Sequence, residues 1–290
     1  MKRLLLKALM LLAAAPMLSG QAVYESEEIH KKAPAVPQFV VFAGDTVRFD
    51  RQDFYERMDR ELISFTYMHT NTTLMLKRSA RYFTIVEPIL REQGIPEDFK
   101  YLMAIESNLD PRALSPAGAA GIWQVVRSTA QAHGLEVSSE VDERYNVEKE
   151  TVVACEYFKE AYGKFGDWLT VAASYNAGQN GIQRRIAAQR QDTALELWMA
   201  EETSRYIFRL LAAKMLFENP AAFGFDVTPA DMYPYIPPRT TVTVSGPVPS
   251  LVDFAEEHGV TYAALKEANL WLRSDKLTNK SGRTYRIAIP

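Results

Sequence analysis

Cysteine is almost absent from this 290-residue chain: Cys155 is its only one. No intrachain disulfide can form, so packing has to hold the fold. Cys155 falls in a helix-patterned stretch, Val152 to Tyr162, with no base beside it in sequence, and reads as a small core residue rather than a nucleophile. It lies far from the N-terminus, so lipid attachment at a leader cysteine is not expected. Histidine is scarce as well. His30, His69, His133 and His258 show neither metal-ligand spacing nor a His-Glu-x-x-His pattern, and neither a structural metal nor a cofactor is expected. Basic excess is lacking: 33 Lys and Arg face 36 Asp and Glu, a formal net charge of −3. That balance argues against nucleic acid as a partner. The longest apolar run, Leu4 to Met17, is interrupted by Lys7 and is too short to span a bilayer comfortably.

That run instead reads as the core of a secretory signal. Lys2 and Arg3 precede it, and Gly20-Gln21-Ala22 offers small residues for cleavage after Ala22. Residues 1–22 are therefore expected to be removed on export, which takes the net charge from −3 to −6 and leaves no stable membrane anchor. Residues 23–52 read as an extended leader with short strands around Phe39 to Phe42 and Val47 to Phe49. From Asp53 to Pro220 the periodicity is helical. Helices are expected over Asp53–Tyr67, Thr72–Glu92, Glu97–Ser107, Ser128–His133, Val147–Tyr162, Trp168–Asn176, Ile182–Arg190 and Glu201–Glu218. This assigns 53–225 to an all-helical domain. The prolines at 229, 234, 237 and 238 make 226–238 a stiff linker. Residues 239–290 read as a β-α-α-β module, with strands Thr240 to Val244 and Thr284 to Ile289 around two short helices. The expected class is mainly α with a small C-terminal α+β module.

Chemistry concentrates around one acid. On a helix ending at Ser107, Glu106 shares a face with Met103, Leu102 and Phe99. An apolar stripe strips hydration from a carboxyl and disfavours its charged form. An acid kept protonated near neutral pH can give a proton to a leaving group. Asp110-Pro111 then stops the helix, since the residue before proline avoids the α conformation, and Asp110 reads as structural. Ser115 to Gly121 is a small-residue stretch that lets backbone approach a ligand, and Ile122-Trp123-Gln124 closes it. Trp123 suits either stacking on a ligand or burial in the core. Two further stretches, Ala172 to Gly181 and Glu202 to Tyr206, read singly as helix packing and a helix start with acids at the dipole's positive end.

Taken together, these elements form a pattern. It runs Glu106-Ser107-x-x-x-Pro111-x-Ala113-x-Ser115-x-x-Gly118-Ala119-x-Gly121-x-x-Gln124, then Ala173-x-Tyr175-Asn176-Ala177-Gly178, then Glu202-Thr203-x-x-Tyr206. Over roughly residues 70 to 225 it resembles the soluble lytic transglycosylase (SLT) domain family, a lysozyme-like all-helical fold. The C-terminal module resembles a LysM domain. Asn269 and the terminal Ile289-Pro290 match it, whereas Ser245-Gly246-Pro247 replaces the usual Gly-Asp-Thr. A further departure is Val125-Val126-Arg127 where Phe-Met-Pro is common.

The resemblance implies cleavage of the β-1,4 bond between N-acetylmuramic acid and N-acetylglucosamine in peptidoglycan, with a 1,6-anhydro ring as product. Glu106 would be general acid and then base. Ser115 and Gln124 would contact the sugar and its N-acetyl groups, Tyr175 would orient the carboxylate, and Asn176 would line the groove. Glu202 and Tyr206 would support it. Peptidoglycan glycan strands are the implied partner, alongside other cell-wall enzymes, in the periplasm or envelope of a diderm bacterium. Two alternatives stand beside this: a lysozyme-type hydrolase drawing its second acid from Asp142 or Glu143, and a non-catalytic peptidoglycan-binding scaffold.

Overall fold

The helical periodicity of the central region folds as a set of antiparallel and crossed helices. A computed structural model of the chain describes residues 32–290; the expected signal segment 1–22 and most of the leader up to the first strand lie outside the described residues. Two short strands, β1 (Phe39–Phe42) and β2 (Asp45–Arg48), pair antiparallel through a tight turn at Ala43 and Gly44, both with positive φ. Val40, Phe42 and Val47 are buried, so one face of this hairpin joins the main core. Asp98 pins it by accepting the Ala43 N–H at 2.8 Å while pairing with Lys214 at 2.7 Å.

The helices follow as α1 (Gln52–Tyr67), α2 (His69–Glu92), α3 (Phe99–Ser107), α4 (Arg127–Ala132), α5 (Val147–Phe165), α6 (Trp168–Ala177), α7 (Gln179–Gln189) and α8 (Glu201–Glu218). Helix α3 is apolar on nearly all sides and is the central strut: Phe99, Leu102, Met103 and Ala104 have no exposed surface. It packs against α2 and α8, and α5 and α6 close the other side. Phe99 meets Phe42, Phe158 and Trp168 at ring distances of 5.5, 4.4 and 5.3 Å. Helices α1 and α8 are joined by an ion cluster in which the fully buried Glu61 accepts from Arg205 at 2.6 Å and Arg209 at 3.2 Å. Cys155 lies buried in α5, and burial pushes its thiol up to about 12, which makes it inert near neutral pH. No described helix is long and apolar enough to cross a membrane.

The proline-bearing segment after α8 runs along α2, where the Tyr233 N–H donates to the Lys77 carbonyl at 2.8 Å and Arg81 donates to the Pro234 carbonyl at 3.2 Å. It leads to β3 (Thr240–Val244), α9 (Leu251–Glu257), α10 (Tyr262–Ala268) and β4 (Tyr285–Ile289), with β3 and β4 antiparallel. This module has a core of its own, which three residues of the helical region extend. Leu251, Leu265, Trp271, Tyr285, Ile287 and Ile289 pack with Ala120, Val141 and Tyr145 of the helical region. Polar contacts frame the same junction. Asp142 N–H donates to the Trp271 carbonyl at 2.9 Å, Arg273 N–H to the Glu140 carbonyl at 2.8 Å, and Tyr285 O–H to Glu136 at 2.6 Å. Within the module, the buried Asn269 side chain donates to the Leu265 and Ala288 carbonyls and accepts the Ala288 N–H, at 2.9, 2.7 and 2.9 Å.

Replacing Asn269 with Ala strands three buried backbone partners. We expect a loss of about 2 to 3 kcal/mol in chemical denaturation of the module.

Candidate active site

Glu106 sits in the last turn of α3, half-buried, above Met103, Leu102 and Phe99, as its helical spacing requires. Tyr206, one turn into α8, donates its O–H to Glu106 Oε1 at 2.5 Å. Burial pushes the Glu106 carboxyl up to about 7; the Tyr206 hydrogen bond opposes this, the Glu202 carboxylate adds to it, and Arg209 opposes it. The side chain is therefore poised between acid and carboxylate near neutral pH.

The chain turns sharply after this acid. Asn108 and Leu109 are both left-handed, with φ of 53° and 55°, a costly conformation for non-glycine residues that collects at functional sites. The turn is held from outside by Arg78, which donates to the Asn108 carbonyl at 3.0 Å and pairs with Asp110 at 3.6 Å, and by the full burial of Leu109.

The stretch from Ala113 to Val125 folds back as a loop whose backbone groups are claimed by side chains from four elements. Glu150 of α5, fully buried, accepts the N–H groups of Ile122 and Trp123 at 2.8 and 3.1 Å. Ser107 donates to the Ile122 carbonyl at 2.7 Å, and Tyr175 of α6 donates to the Trp123 carbonyl at 2.8 Å. Arg144 reaches the carbonyls of Gly118 and Val125 at 2.8 and 3.2 Å. Gly121 has no alternative here: a Cβ would lie 2.0 Å from the Arg144 carbonyl and 2.4 Å from both Glu150 oxygens, and its φ is +85°. The loop is thus a fixed wall on the helix that carries Glu106, tied to it by Ser107.

The structure distributes the sequence-derived candidates unevenly. Glu106 and Tyr206 meet directly, and Glu202 stands exposed on the rim one helical turn before Tyr206, close enough to act on Glu106 electrostatically. Tyr175 makes no hydrogen bond to Glu106, although the Glu106 charge acts on it. Its hydroxyl is spent on the Trp123 carbonyl, and the orienting hydroxyl is that of Tyr206. Ser115 closes its own turn, accepting the Ala119 N–H at 3.0 Å. Gln124, left-handed at φ 55°, donates its amide to the Gly121 and Ala113 carbonyls at 2.8 and 3.2 Å. Asn176 is half-exposed at the end of α6, and its side chain makes no hydrogen bond among the described residues. Trp123 is fully buried, its indole N–H donating to Thr151 at 2.9 Å, so the core role holds.

Asp142 forms a two-pronged buried pair with Arg144 at 2.9 and 2.7 Å. Glu143 is buried against Lys149 and accepts the Glu136 N–H at 2.7 Å. Neither is free to serve as a second catalytic acid. Glu150 and Arg144 were not picked out by sequence. Glu150 heads a buried stripe with Ala154, Phe158 and Ala161, the same acid-on-apolar-face signal that marks Glu106. The difference is that backbone donors occupy both of its oxygens. Among the described residues no group of three or more His, Cys, Asp or Glu is placed to hold a metal ion.

Against known proteins, residues 84–197 match the transglycosylase SLT domain model, and residues 240–290 match the soluble lytic transglycosylase C-terminal LysM-like domain model. The chain is 26% identical over 257 residues to membrane-bound lytic murein transglycosylase D of Escherichia coli, covering 86% of this chain and 55% of that protein. It is 28% identical over 147 residues to membrane-bound lytic murein transglycosylase F of Marinobacter nauticus, covering 46% and 27%. The chain thus spans about half the length of the first of these relatives. Among solved structures, the 70 kDa soluble lytic transglycosylase of Escherichia coli aligns with a TM-score of 0.43 at 15% identity, over 62% of this chain and 33% of that one.

Two outcomes follow from the site's physics. Gly121→Ala should remove most activity and lower the melting temperature, because the loop must move off Arg144 and Glu150. Glu106→Gln should stabilise the fold, and by more at pH 8 than at pH 5. A carboxyl raised from 4.5 to about 7 costs the folded state nothing below the lower value and its full penalty, up to about 3 kcal/mol, above the higher one. Thermal melts of wild type and variant across that range measure the difference.

Proposed function

We propose that this chain, with its SLT and LysM-like segments, is a peptidoglycan lytic transglycosylase of the bacterial envelope, acting on glycan strands at Glu106. Residues 53–225 supply the catalytic unit, and 239–290 supply a second wall-facing module reached through 226–238. The observation that carries this reading is a half-buried carboxyl on an apolar helix, hydrogen-bonded by a tyrosine, beside a loop built for close approach.

In this scheme the protonated Glu106 gives its proton to the glycosidic oxygen as the bond from the muramyl C1 to that oxygen breaks. The resulting carboxylate, held by the Tyr206 O–H, then takes the proton of the sugar's C6 hydroxyl as O6 bonds to C1. The acid is regenerated and no water is consumed. Ordinary glycosidases need a second carboxylate as base or nucleophile. Asp142, Glu143 and Glu150 are committed to structural partners, which favours the intramolecular route. Asn176 is left with a free amide for acetamido groups at the groove edge. A hydrolase would have to recruit Glu202, the other acid whose charge acts on Glu106.

Mass spectrometry of products from purified peptidoglycan separates the two. The proposal expects 1,6-anhydro-muramyl ends; free reducing ends, together with equal losses in Glu202→Gln and Glu106→Gln, would establish the hydrolase. Glu106→Gln should cut kcat by about a thousandfold or more, since it removes both proton transfers. The rate should also fall as pH rises through about 7, where the proton donor ionises; a rate flat from about pH 5 to 9 contradicts a perturbed acid.

A further inference from the structure

Four tryptophans occur in the chain, and three are accounted for by packing. Trp123 and Trp271 are buried, and Trp168 is half-buried and stacked on Tyr162 with ring centroids 4.1 Å apart. Trp198 is 82% exposed, the most exposed large apolar side chain among the described residues. Single exposed apolar residues are ordinary, but this one is held in place. Gln189, the last residue of α7, clamps its backbone from both sides. The Trp198 N–H donates to Gln189 Oε1 at 2.7 Å, and Gln189 Nε2 donates to the Trp198 carbonyl at 2.9 Å. The neighbours fix its direction. Leu197 is extended and buried, and Met199 packs on the main core, so alternation along the strand-like segment turns Trp198 outward. The loop is tied down further by the Ala194 N–H to Thr170 at 2.9 Å and by Arg51 with Glu196 at 2.7 Å.

Its place relative to Glu106 follows from the chain. Tyr206, which touches Glu106, lies five residues into α8, about 8 Å along the axis from its start. Trp198 lies three residue steps before that start, which add at most about 10 Å. The loop bearing Trp198 runs from the end of α7 to the start of α8, the helix that carries Glu202 and Tyr206. We propose that Trp198 is a distal glycan subsite, a fixed indole on which an acetamido sugar of a bound strand stacks several rings away from the cleaved bond. The sugar's ring C–H groups and acetamido methyl meet the flat apolar face, which needs no sequence of polar contacts and suits a repeating polymer. The immobilised backbone of Trp198 lowers the ordering cost of binding.

This inference rests on the glycan-cleaving reading and is tested separately from it. In full-length Glu106→Gln protein, which keeps its ligand intact, acrylamide quenching of tryptophan emission reports Trp198 above the three sheltered indoles. Peptide-free peptidoglycan glycan strands should suppress that quenching and shift the emission to shorter wavelength, and chitohexaose should do so more weakly. In the active chain, Trp198→Ala should weaken glycan-strand binding about three- to tenfold, the range of one aromatic stack. The effect should appear in KM far more than in kcat, and Trp198→Phe should recover much of it. If strands bind and are cleaved yet quenching is unchanged and Trp198→Ala binds as tightly, the subsite is refuted while the function stands. If the wild-type chain binds no glycan, both fall. A concentration-dependent dimer in sedimentation that Trp198→Ala dissolves would also overturn it, assigning the indole to a second copy of the chain.

Discussion

The removal of water from one carboxyl organises this molecule. Glu106 lies in the last turn of an apolar helix most of whose residues are buried, and burial disfavours its charged form. Tyr206 supplies a single charge-sensitive hydrogen bond that limits the upward push. The result is an acid set near neutrality, which serves both directions of a proton transfer better than either an ordinary glutamate or a fully sealed one. Tyr206 is itself placed by α8, and α8 is locked to α1 through the buried Glu61 with Arg205 and Arg209. Arg209 of that cluster also acts on Glu106 through its charge.

A second buried acid does the opposite job. Glu150 is also pushed well upward by burial, with the Trp123 and Ile122 N–H groups and Arg144 acting against the push. Its oxygens are consumed in holding the loop from Ala113 to Val125. Arg144 joins that loop to Asp142, and Asp142 joins it to the C-terminal module through the Trp271 carbonyl. Ala120, in the same loop, lies in the hydrophobic cluster of that module. The β-α-α-β unit therefore buttresses that loop directly, with Val141 and Leu272 paired in an isolated antiparallel bridge.

Much of this was legible in the residues. The eight main helices fall close to the expected spans, because apolar spacing and Gly or Pro boundaries are local signals. The observed helix starts at His69, Arg127 and Gln179 differ from the expected starts by one to three residues, where caps are weak. Glu106 was legible because its stripe lies within a single helix. The partnership with Tyr206, a hundred residues on, was not, because no local pattern encodes which of two tyrosines faces the acid. Glu150 carried the same local signature as Glu106, and only the backbone donors opposite it tell a scaffold from a catalyst. The packing of Ala120, Val141 and Tyr145 onto the C-terminal module was likewise invisible, since its inward residues satisfy an isolated β-α-α-β pattern equally well.

The most direct test is the titration of Glu106 itself. Selective carbon-13 labelling of glutamate, with the Glu106 carboxyl resonance assigned by its loss in Glu106→Gln, gives that value without substrate. The account predicts a midpoint near 7 in the native chain, rising further in Tyr206→Phe as the hydrogen bond to the carboxylate is lost. A midpoint near 4.5 in the native chain, unmoved by Tyr206→Phe, would show a hydrated carboxylate and contradict it.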